Sequence, residues 1–346
     1  MDKKYTIKDI AKMAGVSKGT VDRVLHNRGK VSPAALEKIN EVLNVINYEP
    51  NLIARNLKNT KIYRISVLLP NPEADPYWLP CINGIRDAAN EFKAYSINIQ
   101  THFFNPESTK SFLDSNKIIL EQQPDAVLLA PLFHKETLEI VKEYHQANII
   151  VNTFNNQIEG DIIKGFVGQD LYKSGRVAAS LMNLILTDGQ IAIIHIDESV
   201  KNAVHMQEKE KGFRNYFEEK NNTAFSLTTL KLKQHNVETK FALFLEQNPN
   251  LKGIFITTSK AYQIASLLSP LKDRKIALIG YDLVENNVKF LNEGVVHFLI
   301  HQNQKRQVYL GISTLVEHFL FRKDIPETIL LPIDIINAEN ASFYIA

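Results

Sequence analysis

Cysteine occurs once in this chain of 346 residues, at Cys81, so no internal disulfide framework can form, and nothing around the thiol points to reactivity. No run of about 18 apolar residues occurs, which argues against a membrane span. The opening stretch MDKKYTIKDIAKMAG lacks the apolar core of a signal peptide. Catalytic signatures are missing as well: there is no G-x-S-x-G elbow, no P-loop and no cysteine pair. His297 and His301 are four residues apart, but on a strand that spacing separates them by about 13 Å, too far to share one metal ion. These absences predict a soluble cytoplasmic protein without a membrane partner, and not an enzyme: no catalytic residues, no cofactor and no metal site.

What is present is ordinary in bulk and uneven in detail. Apolar residues make up 45% and charged residues 23%, as in a typical soluble globular protein, and the length suits two or three packed units. The net charge of +2 hides an asymmetry, because residues 1–62 hold 12 Lys/Arg against 6 Asp/Glu while the remainder holds 28 against 32. A basic head on a mildly acidic body points to a polyanionic partner for the head alone.

The head reads as three short helices. Thr6 and Asp9 form a T-x-x-D capping pattern that starts a helix with Ile7, Ile10, Ala11 and Ala14 on its apolar side. Gly15 ends it, since glycine readily takes the left-handed backbone of a tight turn. Ser17 is placed to cap a second helix that buries Val21, Val24 and Leu25. Ser32 and Pro33 begin a third, with Leu36, Ile39, Val42, Leu43 and Ile46 on one face. A tight turn between the first two of three short helices describes a helix-turn-helix unit; the plain alternative is a three-helix bundle, and the basic charge favours DNA.

The stretch TIKDIAKMAGVSKGTVDRVL, followed by VSPAALEKINEVLNVINYEPNLIARNLK, resembles the N-terminal signature of lac-repressor-type bacterial transcription regulators. The resemblance implies that helix two enters the major groove and that Ser17, Lys18, Gly19 and Arg23 read bases, with Thr20 and Asn27 nearer the phosphates and Thr6 also on the DNA side. Arg23 can make the bidentate contact to guanine that is the commonest specific pairing there. Asp22 departs from the family, which usually has serine. It can pair with Lys18 or His26 on the helix surface, or accept a hydrogen bond from cytosine. In NYEPNLIARNLKNTK, Pro50 breaks the third helix and Asn51 can cap a short helix to about Lys58. By resemblance this hinge helix orders on the operator, with Leu57 wedged into the minor groove beside Ala54 and with Lys58 close by.

Beyond residue 62, β-branched runs alternate with helix-length amphipathic stretches. RISVLLP, INIQTHFF, DAVLLAP, IIVNTF, QIAIIHID, GIFITT, KIALIGYD and VHFLIHQ read as strands, and Asn83–Phe92, Lys110–Gln122 and Gly175–Leu186 as helices. The alternation predicts doubly wound parallel sheets in two similar lobes, with ligands at the carboxyl ends of the strands.

Here the chain is similar to the type I periplasmic-binding-protein fold that lac-repressor-type regulators use as an effector domain. The similarity rests on ADPYW (74–78), TFNN (153–156), IGYD (279–282) and HQ (301–302), in that order. It implies a sugar-like ligand. Tyr77 and Trp78 would stack on the ring, with Trp78 as core the alternative, while Asp75, Asn155, Asn156, Asp282 and Gln302 would satisfy hydroxyls. Asp282 can equally cap a helix starting near Val284. Thr258 and Lys209 stand where relatives often carry asparagine or aspartate, and arginine; Asn155 stands where they often carry aspartate. Lysine lacks the planar guanidinium fork, so these departures point to an unusual ligand and leave an anionic sugar open.

The expected organisation is an α/β chain: a helix-turn-helix head (1–49), a hinge helix and linker (50–62), and an effector domain (63–346). Its first lobe is expected at about 63–157 and 295–320, its second at about 158–294 and 321–346. The expected function is a homodimeric repressor of carbohydrate genes that binds double-stranded operator DNA under control of a small sugar-like effector. A transport-type solute receptor is the alternative that the body alone would fit; the head argues against it.

Overall fold

The computed structural model describes residues 5–25, 29–46, 61–158, 160–196, 204–271 and 274–345. The chain divides into two compact units, Met1–Thr60 and Lys61–Ala346. The expected hinge helix, with Asn51, Ala54, Leu57 and Lys58, lies outside the described residues, as do His26 and Asn27.

In the first unit, α1 (Ile7–Ala14), α2 (Lys18–Leu25) and α3 (Pro33–Val45) enclose a small core of Ile10, Ala11, Ala14, Val21 and Ile39. Each start signal works as its chemistry predicts. Thr6 and Asp9 close a capping box, in which the Asp9 amide donates to Thr6 Oγ1 (3.3 Å) and the Thr6 amide to Asp9 Oδ2 (2.9 Å). Gly15 ends α1 at φ 65°. Ser17 Oγ accepts from the Thr20 amide at 3.1 Å, and Ser32 Oγ from that of Ala35 at 3.4 Å.

The second unit holds two six-stranded sheets. In the first lobe the order is β11-β5-β4-β3-β1-β2, all parallel: β1 (Tyr63–Pro70), β2 (Ile97–Phe104), β3 (Ala126–Leu129), β4 (Ile150–Asn155), β5 (Gly165–Gly168) and β11 (Thr328–Leu330). In the second the order is β12-β10-β9-β8-β6-β7: β6 (Gly189–Ile196), β7 (Phe225–Leu232), β8 (Leu251–Ile256), β9 (Ala277–Tyr281), β10 (Phe298–His301) and β12 (Asp334–Ile336), the last antiparallel. Apolar clusters fill both faces of each sheet, which is why the central strands read as unbroken apolar runs.

The chain passes between lobes later than the sequence reading places it. Residues 165–168 and 328–330 pair in the first sheet, not the second, and 298–301 pair in the second, not the first. A crossover leaves from the carboxyl end of a strand, so each strand belongs to the lobe in which it began. The short run GFVG and the half-exposed edge strand β7 carry too weak an apolar signal to register by pattern.

Two helices of the second lobe, α7 (Leu171–Ile185) and α8 (Val204–Glu219), approach closely enough to demand glycine. A Cβ on Gly212 would lie 1.9 Å from the Tyr172 carbonyl oxygen, and one on Gly175 would lie 2.0 Å from that of Lys209. Because the obstruction is backbone, no side chain can give way. Gly212→Ala is expected to cost about 2–3 kcal/mol, read as a lower denaturant midpoint; an unchanged midpoint would show that the helices separate freely.

Candidate ligand cleft and DNA-reading face

Apart from Lys209, the sequence-predicted cleft residues lie at strand carboxyl ends or in the segments that follow them, where a doubly wound fold exposes backbone and side chains together. After β1, Asp75 accepts from the Tyr77 amide at 3.1 Å and caps the short turn Pro76–Trp78. Burial pushes its carboxyl upward, against the Tyr77 amide and Lys260. Tyr77 is buried, and its hydroxyl meets Asn155 Nδ2 and also contacts Gln304. Asn155 ends β4 at φ 70°. Trp78 is core, as the alternative reading had it: it is 4% exposed, edge-on to Tyr77 at 4.9 Å and to Phe154 at 6.1 Å.

From the other lobe comes Asp282, following β9 at φ 66° and buried. Its carboxylate accepts from the Gln302 amide (3.1 Å), Gln302 Nε2 (2.8 Å) and Gln304 Nε2 (2.8 Å). The helix-capping alternative does not hold. The cap of α11 (Glu285–Asn292) is Val284, with no side-chain bond, and Asp282 is fully engaged elsewhere. Left-handed backbone at Asn155, Asp282 and Asn303 costs non-glycine residues energy and gathers where chain segments turn into the cleft.

Lys209, on α8, is 2% exposed. Its ammonium donates to the Thr257 carbonyl at 3.1 Å and lies 3.6 Å above the Tyr281 ring centroid. Burial brings its pKa down to about 8, with Asp282 acting in the opposite sense. Thr257 is gripped from its other end, because its hydroxyl meets His195 Nδ1 at 2.8 Å and His195 Nε2 meets Glu210 at 2.6 Å. Burial pushes the Glu210 carboxyl up, but bonds from His195, Thr229 and Arg214 outweigh it and hold the group at about 2. Thr258 is half-buried and accepts from the Lys260 amide at 3.4 Å.

Tyr77, Asn155, Asp282 and Gln302 thus meet in one polar cluster, joined by Gln304, a residue that the sequence reading missed. Gln304 touches Tyr77 of one lobe and Asp282 of the other. The only signal was its spacing, two residues after Gln302. A second omission is Asn287, fully buried, whose amide donates to the carbonyls of Ser259, Tyr281 and Asp282 and so holds the loops after β8 and β9.

Beside this cluster a cavity of about 750 Å³ opens between the lobes, within the usual range for small-molecule sites. Phe166, Gln169, Tyr172, His205 and Glu208 line it, and of the nine predicted ligand residues only Asn156 does. Burial holds the His205 imidazole down at about 3, aided by Lys209 and His195, so it is uncharged at neutral pH.

On the head, Ser17, Lys18, Gly19 and Arg23 are exposed and Thr20 is half-buried. Ser17 and Thr20 share a hydroxyl contact of 2.9 Å, and Thr6 spends its side chain on the α1 cap.

Residues 6–51 match the pattern of "Bacterial regulatory proteins, lacI family", and residues 65–323 that of the "Periplasmic binding protein domain". A solved structure classed as a LacI transcriptional regulator from Bacteroides fragilis aligns at 31% identity with a TM-score of 0.76, over 82% of this chain and 100% of that one. The chain belongs to the lacI family of bacterial regulators. As a member it is a DNA-binding transcription regulator with a periplasmic-binding-protein-like domain. The sucrose operon repressor of Streptococcus mutans serotype c is 25% identical over 96% of this chain and 98% of its own length. The ribose operon repressor of Halalkalibacterium halodurans is 25% identical over 80% of each. These relatives are regulators, not enzymes. Among the described residues no helix is long and apolar enough to cross a membrane, and no group of three or more His, Cys, Asp or Glu side chains is placed to hold a metal ion.

Proposed function

We propose that this lacI-family regulator is a homodimeric repressor of carbohydrate genes, acting in the cytoplasm on a two-fold operator and released or recruited by a small sugar bound between its lobes. The observation that carries this reading is the pairing, in one chain, of a basic helix-turn-helix head with a polar interlobe cleft. The likeness to sucrose and ribose operon repressors supports a carbohydrate ligand. Ser17, Lys18, Gly19 and Arg23 read bases; Thr20, Asn27 and Lys58 serve the phosphates; Ala54 and Leu57 serve the minor groove. In the cleft, Asp75, Tyr77, Asn155, Asn156, Lys209, Thr258, Asp282 and Gln302, with Gln304, take the ligand hydroxyls. Trp78 packs edge-on against Tyr77 at 4.9 Å and completes the aromatic pair of the site.

The charge around the cleft argues for a neutral ligand. Asp170 and Glu208 line the cavity, its described lining contains no lysine or arginine, and His205 is uncharged. In the cluster, Lys209 faces Asp282 and Lys260 faces Asp75, so opposite charges are already matched. A thermal-shift screen of sucrose, D-ribose, D-glucose and their phosphates should give its shifts with neutral sugars. Ligand at 100 times its dissociation constant adds about 2.7 kcal/mol. Operator retention in a gel should change with the same sugar. Shifts confined to the phosphates would overturn the charge argument; silence across all of them would overturn the sugar reading.

A further inference from the structure

Three segments carry the chain between the lobes: Gln169–Asp170 from β5 to α7, Gln302–Asn303 from β10 to α12 (Gln304–Phe321), and 331–333 from β11 to β12. Any change of lobe angle must bend all three. Gln169 belongs to the first and reaches both others. Its Nε2 donates to the His301 carbonyl at 3.2 Å, where the second crossing begins, and to the Pro332 carbonyl at 2.8 Å, in the middle of the third. Two carbonyl acceptors require both N–H groups of the amide, which settles which way the amide faces. The side chain is 2% exposed, so water competes little for these bonds. The backbone adds one tie of the same kind, from the Leu331 amide to the Gly168 carbonyl at 2.8 Å.

We propose that Gln169 is the positioning residue that makes the three crossings bend together, and that it thereby sets the lobe angle through which a cleft ligand acts on the DNA-binding head. This rests on the proposed control by an interlobe ligand. The three bonded segments would otherwise have separate torsional freedom, and each could bend by a different amount for the same movement of the lobes. Tied through one buried amide, they hinge as a unit and give two discrete lobe arrangements, which a ligand can bias, where loose crossings would give a continuum. Gln169 also forms part of the cavity wall, so a molecule bound there touches the tie itself. A carboxylate at this position would face two carbonyl oxygens and break both bonds, and a methionine would fill the space without donating.

The test needs no ligand. Full-length chain carrying Lys93→Cys in one lobe and Lys240→Cys in the other, both at exposed positions, is spin-labelled; Cys81, with no exposed surface, stays unlabelled. Unlabelled chain is mixed in excess so that one protomer of any dimer carries the pair, and interlobe distances are measured by double electron–electron resonance. The parent should give a narrow distribution, and Gln169→Met and Gln169→Glu distributions about twofold wider or more, as uncoupled hinges allow. Loss of stability with a distribution that overlays the parent would reduce Gln169 to a packing residue and overturn the proposal. Should Gln169→Met fail to fold, the equal-sized Gln169→Glu carries the same comparison. If both fail, amide hydrogen exchange of the parent decides: protection of 301–303 and 331–333 that opens in one kinetic step supports the tie, and independent opening overturns it. Failure of the sugar screen alone would sink the sugar reading and leave these distances to judge the tie.

Discussion

Lys209→Met is expected to yield a protein more stable than the parent and deaf to its sugar. The ammonium is buried with a single hydrogen bond, to Thr257, and the face of Tyr281 for company. Its pKa of about 8, against an ordinary 10.5, means that holding the charge costs about 3 kcal/mol at neutral pH, at about 1.4 kcal/mol per tenfold change in protonation. Methionine keeps the volume and carries no charge, so much of that cost, already net of the attraction to Asp282, should vanish. The pH dependence has a definite sign. Between about pH 8 and 10.5 the unfolded chain holds a proton on this lysine that the folded chain has released, so this group makes stability rise with pH across that window. Comparing denaturation of parent and variant at pH 7, 8, 9 and 10 isolates the term, because every other titrating group is common to both. The gap should narrow upward from pH 8. Sugar affinity of the parent should weaken over the same range, if the protonated lysine is the form that donates to the ligand. A variant less stable than the parent at pH 7 would mean that the ammonium earns its place in the ligand-free fold.

Arg23→Ala should weaken specific operator binding severely. Arg23 is exposed on α2, past the Ser17 cap that starts the helix, and its neighbours Val21, Val24 and Leu25 anchor that helix to the core. A bidentate contact to guanine is worth about 1–3 kcal/mol, and twin heads lose it twice, so operator affinity should fall by roughly a hundredfold or more. Selection on randomised operators separates the two ways in which this loss can arise. If Arg23 reads a base, one position per half-site relaxes; if it only meets a phosphate, all sequences weaken alike and the salt dependence becomes shallower. Asp22→Ser in the same selection addresses the neighbouring departure from the family. A uniform gain marks Asp22 as a surface pairing residue, and a changed base preference marks it as a reader.

Much of the architecture was legible because its signals are local. The T-x-x-D box at Thr6 and Asp9, the glycine at 15 and the Ser32–Pro33 start act within one helical turn, so each works wherever the helix lies. Likewise the apolar runs of β1, β3, β6 and β9 declare strands covered on both faces. Pattern failed at GFVG, too short to show a period, and at β7, an edge strand with one open face. It also failed for the lobe boundaries, which depend on whether a strand pairs before or after the chain crosses.

Sequence alone settled the class of the molecule: a basic three-helix reader, a doubly wound two-lobe body, and the strand ends at which polar side chains would gather. Tertiary structure decided what those side chains do. Trp78 and Tyr77 are adjacent and both pack into the core of the first lobe, Trp78 edge-on to Phe154, while the Tyr77 hydroxyl reaches Asn155 at the strand end. Asp282 had a helix start within reach, but left-handed backbone turned its carboxylate toward Gln302 and Gln304. Lys209 looked like a weaker arginine, and only burial against Tyr281 made it a lysine poised near neutral pH. Gln169 carried no signal at all, because its partners lie more than a hundred residues away along the chain, and such distances close only when both lobes have folded.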